Sequence, residues 1–431
     1  MNIIKNELLK EEVYHEKLSN NMNVFFMKKK GFTKKYAVLA TNYGSNDLKF
    51  ISPHTGEEIK VNEGIAHFLE HKMFEQSDGS NAFDRFAEIG ANANAFTNFN
   101  MTAYLFSCTE RFYEGLDHLI SYVQSPYFTD ENVEKEKGII AQEIKMYDDN
   151  PDWKLFFNTL KAMYKVHPNS IDIAGTVESI YKITKEELYS CYNTFYSPSN
   201  MALFVIGDLE FDEVLKSVKE TVKDEHMFEG EVKRIFELET DELRTKEITE
   251  ELEVSIPMFS IGFKDKLNTL GENTDIMKKS ITTEIIHDLL FKKGTALYEE
   301  LYMEGLIFGG FSSDYTEHTD YGYSIISGES KDVNKVRARI MQAIEESKIN
   351  GLNEEDFERI KKKKIGGFIK LFDSIEFIAN NYLSYYFKGM DLLGYYEALL
   401  DIKIDDVNER LKEHFTEDMS VLSVINPKLK S

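Results

Sequence analysis

Two histidines and a glutamate fall within five residues in the segment His67-Phe68-Leu69-Glu70-His71. On a helix, residues four apart lie one turn apart on one face, so His67 and His71 can turn their imidazoles toward one ion. Glu70, three residues after His67, falls beside them. Two imidazoles and a carboxylate suit zinc, leaving a fourth position to water. Glu70 has the chemistry to take a proton from that water and hand it on to a leaving amine. The order His-x-x-Glu-His inverts the commoner His-Glu-x-x-His. The apolar neighbours Ile65, Phe68, Leu69 and Met73 predict a helix buried along one side rather than a surface helix that happens to carry two histidines.

A zinc site that does chemistry needs a third protein ligand. The charged stretch from Glu134 to Tyr147 offers Glu136 and Glu143, two helical turns apart on one face. Either can bind a metal while the other orients a histidine N–H from behind. His15, His54, His118, His226, His318 and His414 have no partner at ligand spacing, and His167, before Pro168, marks a loop.

The elements that must position these groups follow from periodicity and punctuation. Strands are expected around Val24–Phe26 and Tyr36–Ala40, then a helix starting at 61–65 that carries the histidine motif. A helix over Ala82–Ile89 is closed by Gly90, and strands follow over 91–97 and 103–108. Helices are expected over 113–124, 132–148, 151–164 and 184–195, the last with Thr184 as N-cap and Glu187 as its capping-box partner. A strand covers 201–206. The second half repeats this course, with helices over 280–291, 295–304, 333–346, 354–371, 375–387 and 405–414, and strands over 307–313, 321–327 and 420–424. Phe86-Ala87-Glu88-Ile89-Gly90 faces Leu301-Tyr302-Met303-Glu304-Gly305 at an offset of about 215 residues. His71-Lys72-Met73-Phe74 faces His287-Asp288-Leu289-Leu290-Phe291 more loosely, which makes His287 a remnant of duplication. Strands and helices without regular βαβ alternation indicate an α+β fold in layers, built as two homologous domains. The expected division is 1–225 for the zinc-binding domain, 226–244 for a charged connection and 245–431 for the second, non-catalytic domain.

The bulk composition narrows the setting. The chain of 431 residues is 42% hydrophobic and 13% aromatic, enough for large cores. A formal charge of −24 argues against nucleic-acid binding, which needs a basic surface. No apolar run approaches the ~20 residues needed to cross a bilayer. Two cysteines, Cys108 and Cys191, make no disulfide framework, and the first residues have no apolar signal region. The expectation is a cytoplasmic protein with no membrane and no nucleic-acid partner.

The residues resemble the pitrilysin/insulinase/mitochondrial processing peptidase family of zinc metallopeptidases over nearly the whole chain. The marks are Gly64-Ile65-Ala66-His67-Phe68-Leu69-Glu70-His71 followed by Phe74, Asn94-Ala95-Phe96-Thr97 with Thr102-Ala103-Tyr104, His167-Pro168 with Gly175-Thr176, and Tyr196-Ser197-Pro198-Ser199-Asn200-Met201 before Gly207-Asp208. The resemblance implies that each of the two domains is an antiparallel-rich sheet packed by helices, with one zinc per chain, Glu143 as third ligand and Glu136 as its support among the catalytic groups. It implies that Asn94, Ala95, Phe96 and Thr97 form a strand to which an unfolded peptide adds by backbone hydrogen bonds. It also exposes a departure. The family carries an arginine and a tyrosine in the second domain, in a stretch that here reads Glu300-Leu301-Tyr302-Met303-Glu304-Gly305-Leu306-Ile307-Phe308, without arginine and with Phe308 at the tyrosine position. The expectation is therefore a zinc endopeptidase of short or unfolded peptides that pairs with a homologous subunit, as a heterodimer or a homodimer. Two other readings fit the same residues: a non-catalytic, peptide-binding scaffold subunit, and a maturation protease for one specific peptide.

Overall fold

The computed structural model describes residues 1–223, 228, 230–271 and 275–428. His226, and with it the expected boundary at 225/226, lies outside the described residues. The strands in chain order are β1 (Asn2–Asn6), β2 (Glu11–Lys17), β3 (Asn23–Lys28), β4 (Lys35–Thr41), β5 (Lys49–Ile51), β6 (Glu58–Lys60), β7 (Asn92–Thr97), β8 (Thr102–Cys108), β9 (Met201–Gly207), β10 (Lys233–Arg234), β11 (Glu247–Leu252), β12 (Met258–Lys264), β13 (Ser312–Glu317), β14 (Gly322–Glu329) and β15 (Ser420–Pro427).

The first sheet runs β1-β2-β3-β9-β4-β8-β7 and the second runs β11-β15-β12-β14-β13. In the first, only β3 and β9 are parallel neighbours; in the second, only β11 and β15 are. Removing the β1-β2 hairpin makes the two orders and directions identical, so the duplication expected from the 215-residue offset is present as two copies of one topology. Each fold is α+β with an antiparallel-rich sheet under helices, as the sequence predicts.

The chain divides into two compact units. One comprises Met1–Ile144, Ile171–Phe236 and Leu371–Leu393; the other comprises Lys145–Ser170, Glu237–Lys370 and Gly394–Ser431. The contiguous halves expected from sequence therefore differ from the packed units by one helical segment each. In the first unit β3, β4 and β9 are buried along almost their whole length, as strands covered on both faces must be. Val24 and Phe26 of β3 face the core that includes Ile65, Phe68 and Leu69. Phe25, on the opposite face by strand alternation, meets Tyr382 of the helix Ile375–Phe387 at 5.0 Å, and Phe204 meets the same ring at 4.9 Å. In the second unit the helix Pro151–Met163 plays the matching part. Thr159 donates its hydroxyl hydrogen bond to Ser260 on β12 at 2.8 Å, and a Cβ at Gly262 would lie 1.9 Å from Met163 Cε. Glycine lets helix and strand approach closely at this crossing.

Two local expectations change. The strand read at 307–313 begins at Ser312, because Gly309 and Gly310 (φ +81°) turn the chain and Leu306 and Ile307 are buried as loop residues. The described part of the 226–244 connection has structure: β10 pairs with β5 in a small sheet β10-β5-β6. Farther along it, Glu239 is buried in the second unit, accepting from the backbone N–H groups of Val166 and His167.

Candidate metal and catalytic site

The histidine motif lies on a short helix, Ile65–Lys72, in the first unit. Its burial splits as the sequence predicts: Ile65, Phe68 and Leu69 enter the core, whereas His67 and His71 remain partly accessible. Its N-terminus is set by Gly64, at φ +85°, where a Cβ would come within 2.3 Å of the Ala174 carbonyl oxygen. Ser179 donates to the carbonyl of Glu63 at 2.9 Å. The Gly175-Thr176 segment thus holds the start of the motif helix by backbone contact that leaves no space for a side chain.

The second contributor is the helix Asp130–Asp148, which buries Val133, Ile140, Ala141 and Ile144 and turns Glu136 and Glu143 to the motif helix. His67 Nε2 lies 3.8 Å from Glu143 Oε1 and His71 Nε2 lies 3.6 Å from Glu143 Oε2. One ligand atom from each of these three residues falls within 4.8 Å of the others, and among the described residues this is the one such group. Glu136 does not join it. Its Oε1 is 3.1 Å from His71 Nδ1, a contact that in the neutral ring puts the proton on Nδ1 and leaves the Nε2 lone pair free.

The electrostatics fit a cation. Burial, then the charge of His71, lowers the His67 imidazole to about 3, so it is neutral near pH 7 and open as a ligand. Burial also pulls the His71 pKa down, but the Glu136 hydrogen bond and the charges of Glu70, Glu136 and Glu143 outweigh it and leave the pKa raised. Glu70 is 8% exposed; its burial raises its carboxyl, partly offset by His71 and by a hydrogen bond from Thr97. Three carboxylates around two imidazoles, with the Lys72 ammonium near Glu136 at 3.9 Å, leave a surplus of negative charge at a set of hard and borderline donors. That donor set is the one expected for a divalent metal such as zinc.

Asn94 and Ala95 line a cavity of ≈ 560 Å³ together with Glu70, His71 and Glu136. They belong to β7, which pairs with β8 and forms the end of its sheet. Thr97 is in the same strand, but its hydroxyl donates to Glu70 Oε2 at 2.9 Å. The site residues named from the sequence are thus brought together in one unit, Phe96 joining only as a strand member.

Two participants, Lys72 and Phe83, escape sequence reading, whereas Phe74 is one of the marks beside the motif. Lys72 is fully buried, its Nζ 2.5 Å from Glu75 and 3.9 Å from Glu136. The signal for it was a lysine on the apolar face of the motif helix, followed three residues later by a glutamate. Phe74 and Phe83 stack at 4.2 Å in the wall of the cavity. The counterpart helix in the second unit, Ile276–Leu290, carries His287, whose Nε2 meets Ser324 Oγ at 2.7 Å in a buried cluster.

Comparison with known proteins places the chain in a family. Residues 55–177 match the family described as insulinase (peptidase family M16), and residues 182–364 match the one described as peptidase M16 inactive domain. Over 426 residues the chain is 42% identical to the Bacillus subtilis (strain 168) protein named uncharacterized zinc protease YmfH, a match covering 99% of both chains. The chain belongs to peptidase family M16, the insulinase family, as the resemblance of its motifs implied. A crystal structure of an M16-like peptidase from Alicyclobacillus acidocaldarius matches with a TM-score of 0.92 at 35% identity, covering 99% of this chain and 100% of that one. The mitochondrial-processing peptidase subunit beta of Caenorhabditis elegans is 31% identical over 172 residues, 39% of this chain and 37% of that protein.

Proposed function

We propose that the chain is a zinc-dependent endopeptidase of short or unfolded peptides. In this reading His67, His71 and Glu143 hold one zinc ion, Glu70 is the general base and Glu136 keeps His71 in the ligating tautomer. The observation that carries it is the convergence of both Nε2 atoms on the Glu143 carboxylate, with a buried carboxylate, Glu70, on the same turn of helix. Zinc bound there would supply Lewis acidity and a water of lowered pKa. Glu70, whose raised pKa suits it to hold a proton between steps, takes the water's proton and returns it to the leaving amine. A structural zinc site has no use for such a base. β7 has a free edge among the described strands, so a peptide can pair with its backbone irrespective of side-chain identity. The setting proposed is the cytoplasm, on the two buried free thiols Cys108 and Cys191, which burial pushes up to about 11 and 12. No described helix is long and apolar enough to cross a membrane.

Glu70→Gln tests this directly. Zinc content should stay near one per chain while cleavage of a quenched fluorescent peptide disappears; surviving cleavage would remove Glu70 from the role.

The same reading extends to a partner. The helix Ala296–Met303 and the segment after it contain no arginine, and Glu300 and Glu304 are engaged by Arg339. Phe308 has Lys331 over its ring at 5.7 Å. An oxyanion donor missing from this chain is worth about 3 kcal/mol of transition-state stabilisation, and a homologous subunit could supply it. Purification alone and with a co-expressed paralogue tests the point. Full activity as a monomer, undiminished by dilution, would overturn it.

A further inference from the structure

We propose that Thr97 is a positioning residue for Glu70: its hydroxyl pins one carboxylate oxygen and leaves the other to take the proton of the attacking water. This rests on the peptidase reading above. It reassigns a side chain that the sequence marked only as part of a peptide-binding strand.

Thr97 Oγ1 lies 2.9 Å from Glu70 Oε2, and among the described residues no hydrogen bond reaches Oε1. The direction of the bond follows from counting protons. Thr102 stands opposite Thr97 in the β7·β8 register, and its hydroxyl donates to the Tyr43 carbonyl at 2.9 Å. That uses the only proton Thr102 has, so toward Thr97 it can only accept. The single proton of Thr97 then chooses between Glu70 Oε2 at 2.9 Å and Thr102 Oγ1 at 3.3 Å. The carboxylate is nearer and charged, and a hydroxyl-to-carboxylate bond is the stronger of the two.

The need for such a tie is conformational. A glutamate side chain has three rotatable bonds, and one turn of helix does not fix them. Threonine is stiff at χ1, so its hydroxyl direction is set by the strand backbone. Thr102 and Tyr43 are fully buried, which anchors this chain of hydroxyls in the core. The strand that offers its edge to a peptide therefore also fixes the base, and the register of the one is tied to the aim of the other.

The test uses the full chain loaded with one equivalent of zinc, as wild type, Thr97→Val, Thr97→Ala and Thr97→Ser. Zinc content, kcat and KM on a quenched fluorescent peptide, and crystal structures of the metal-free proteins are measured. Valine keeps the shape and alanine relieves any wedge should valine not fold. Both should retain about one zinc per chain and lose roughly 10–100-fold in kcat with KM within about twofold, part of the 10²–10⁴ that general-base catalysis supplies. Serine should return kcat to within about threefold of wild type. In the crystals the Glu70 carboxylate should leave its wild-type position in valine and alanine and keep it in serine. An unchanged kcat, a serine variant no better than valine, loss of zinc with the hydroxyl, or an unmoved Glu70 would each overturn the proposal. If zinc-loaded wild type cleaves no peptide, the peptidase reading falls, and the crystals alone decide whether Thr97 holds Glu70.

Discussion

Glu136→Gln should weaken zinc binding without emptying the site or unfolding the protein. The carboxylate sits 3.1 Å from His71 Nδ1, and its charge makes the opposite nitrogen a better donor. An amide keeps an acceptor oxygen there but loses the charge. Partners of this kind are worth about 10–100-fold in metal affinity, which is about 1.4–2.7 kcal/mol. Lys72 limits the collateral damage. Its ammonium is buried and 3.9 Å from Glu136 Oε2, but Glu75 is closer at 2.5 Å, so the lysine keeps an anion when Glu136 is neutralised. The assay is competition for zinc against a chromophoric chelator at fixed pH, with thermal unfolding of the metal-free protein as control. Glu143→Ala, which removes the proposed third ligand, should cost at least about tenfold more than Glu136→Gln. An affinity for Glu136→Gln within about threefold of wild type would refute the role given to the Glu136–His71 hydrogen bond. Equal losses for the two variants, or full affinity in Glu143→Ala, would show that Glu136 is itself a ligand.

The remaining predictions concern stability. Saturating zinc at about 100 times its Kd should stabilise the metal-free protein by about 2.7 kcal/mol, read as a rise in Tm that His71→Ala abolishes. Burial alone would raise the Glu239 carboxyl, but the backbone N–H groups of Thr240, Val166 and His167 and the Lys264 ammonium bring it down to about 2 from 4.5. Its contribution is therefore complete above about pH 4.5 and lost as the pH falls through about 2; screening holds it to about 2–3 kcal/mol. Glu239→Gln should lower stability at pH 7 by about that amount, and the difference should vanish near pH 2 in denaturant titrations. Gly262→Ala should destabilise by about 1–3 kcal/mol, because the new Cβ would lie 2.7 Å from Thr159 Cγ2 as well as 1.9 Å from Met163 Cε. Calorimetry should record that as a drop of roughly 2–12 °C in Tm.

What the sequence made legible was what local spacing encodes. Helical period put His67, Glu70 and His71 on one turn, and two further turns put Glu136 and Glu143 on one face of the next contributor. The capping box at Thr184 and Glu187 forms as expected. Spacing could not say which glutamate approaches Nδ1 and which faces Nε2, because that depends on how two helices cross. It could not find the bond from Thr97 to Glu70, 27 residues away, because a threonine in an edge strand has many ordinary uses. Lys72 was obscured by its type, since buried lysines are rare and gain their sense only from Glu75 and Glu136. The strand expected at 307–313 shows the opposite failure: Leu306 and Ile307 are buried, but as part of a turn over Gly309 and Gly310, so hydrophobicity was read correctly and conformation was not.

The exchanged helices carry a consequence for how the chain is made. The first sheet has its last strand, β9, once residue 207 is synthesised, but the helix that covers Phe25 and Phe204 belongs to the segment Leu371–Leu393. At about 5–20 residues per second, that leaves an aromatic sheet face uncovered for roughly 10–40 s on the ribosome. During that interval the exposed aromatic face is prone to misassociation. A chain cut between its two halves would keep that face exposed for good, so the two halves are separable in sequence but mature only together.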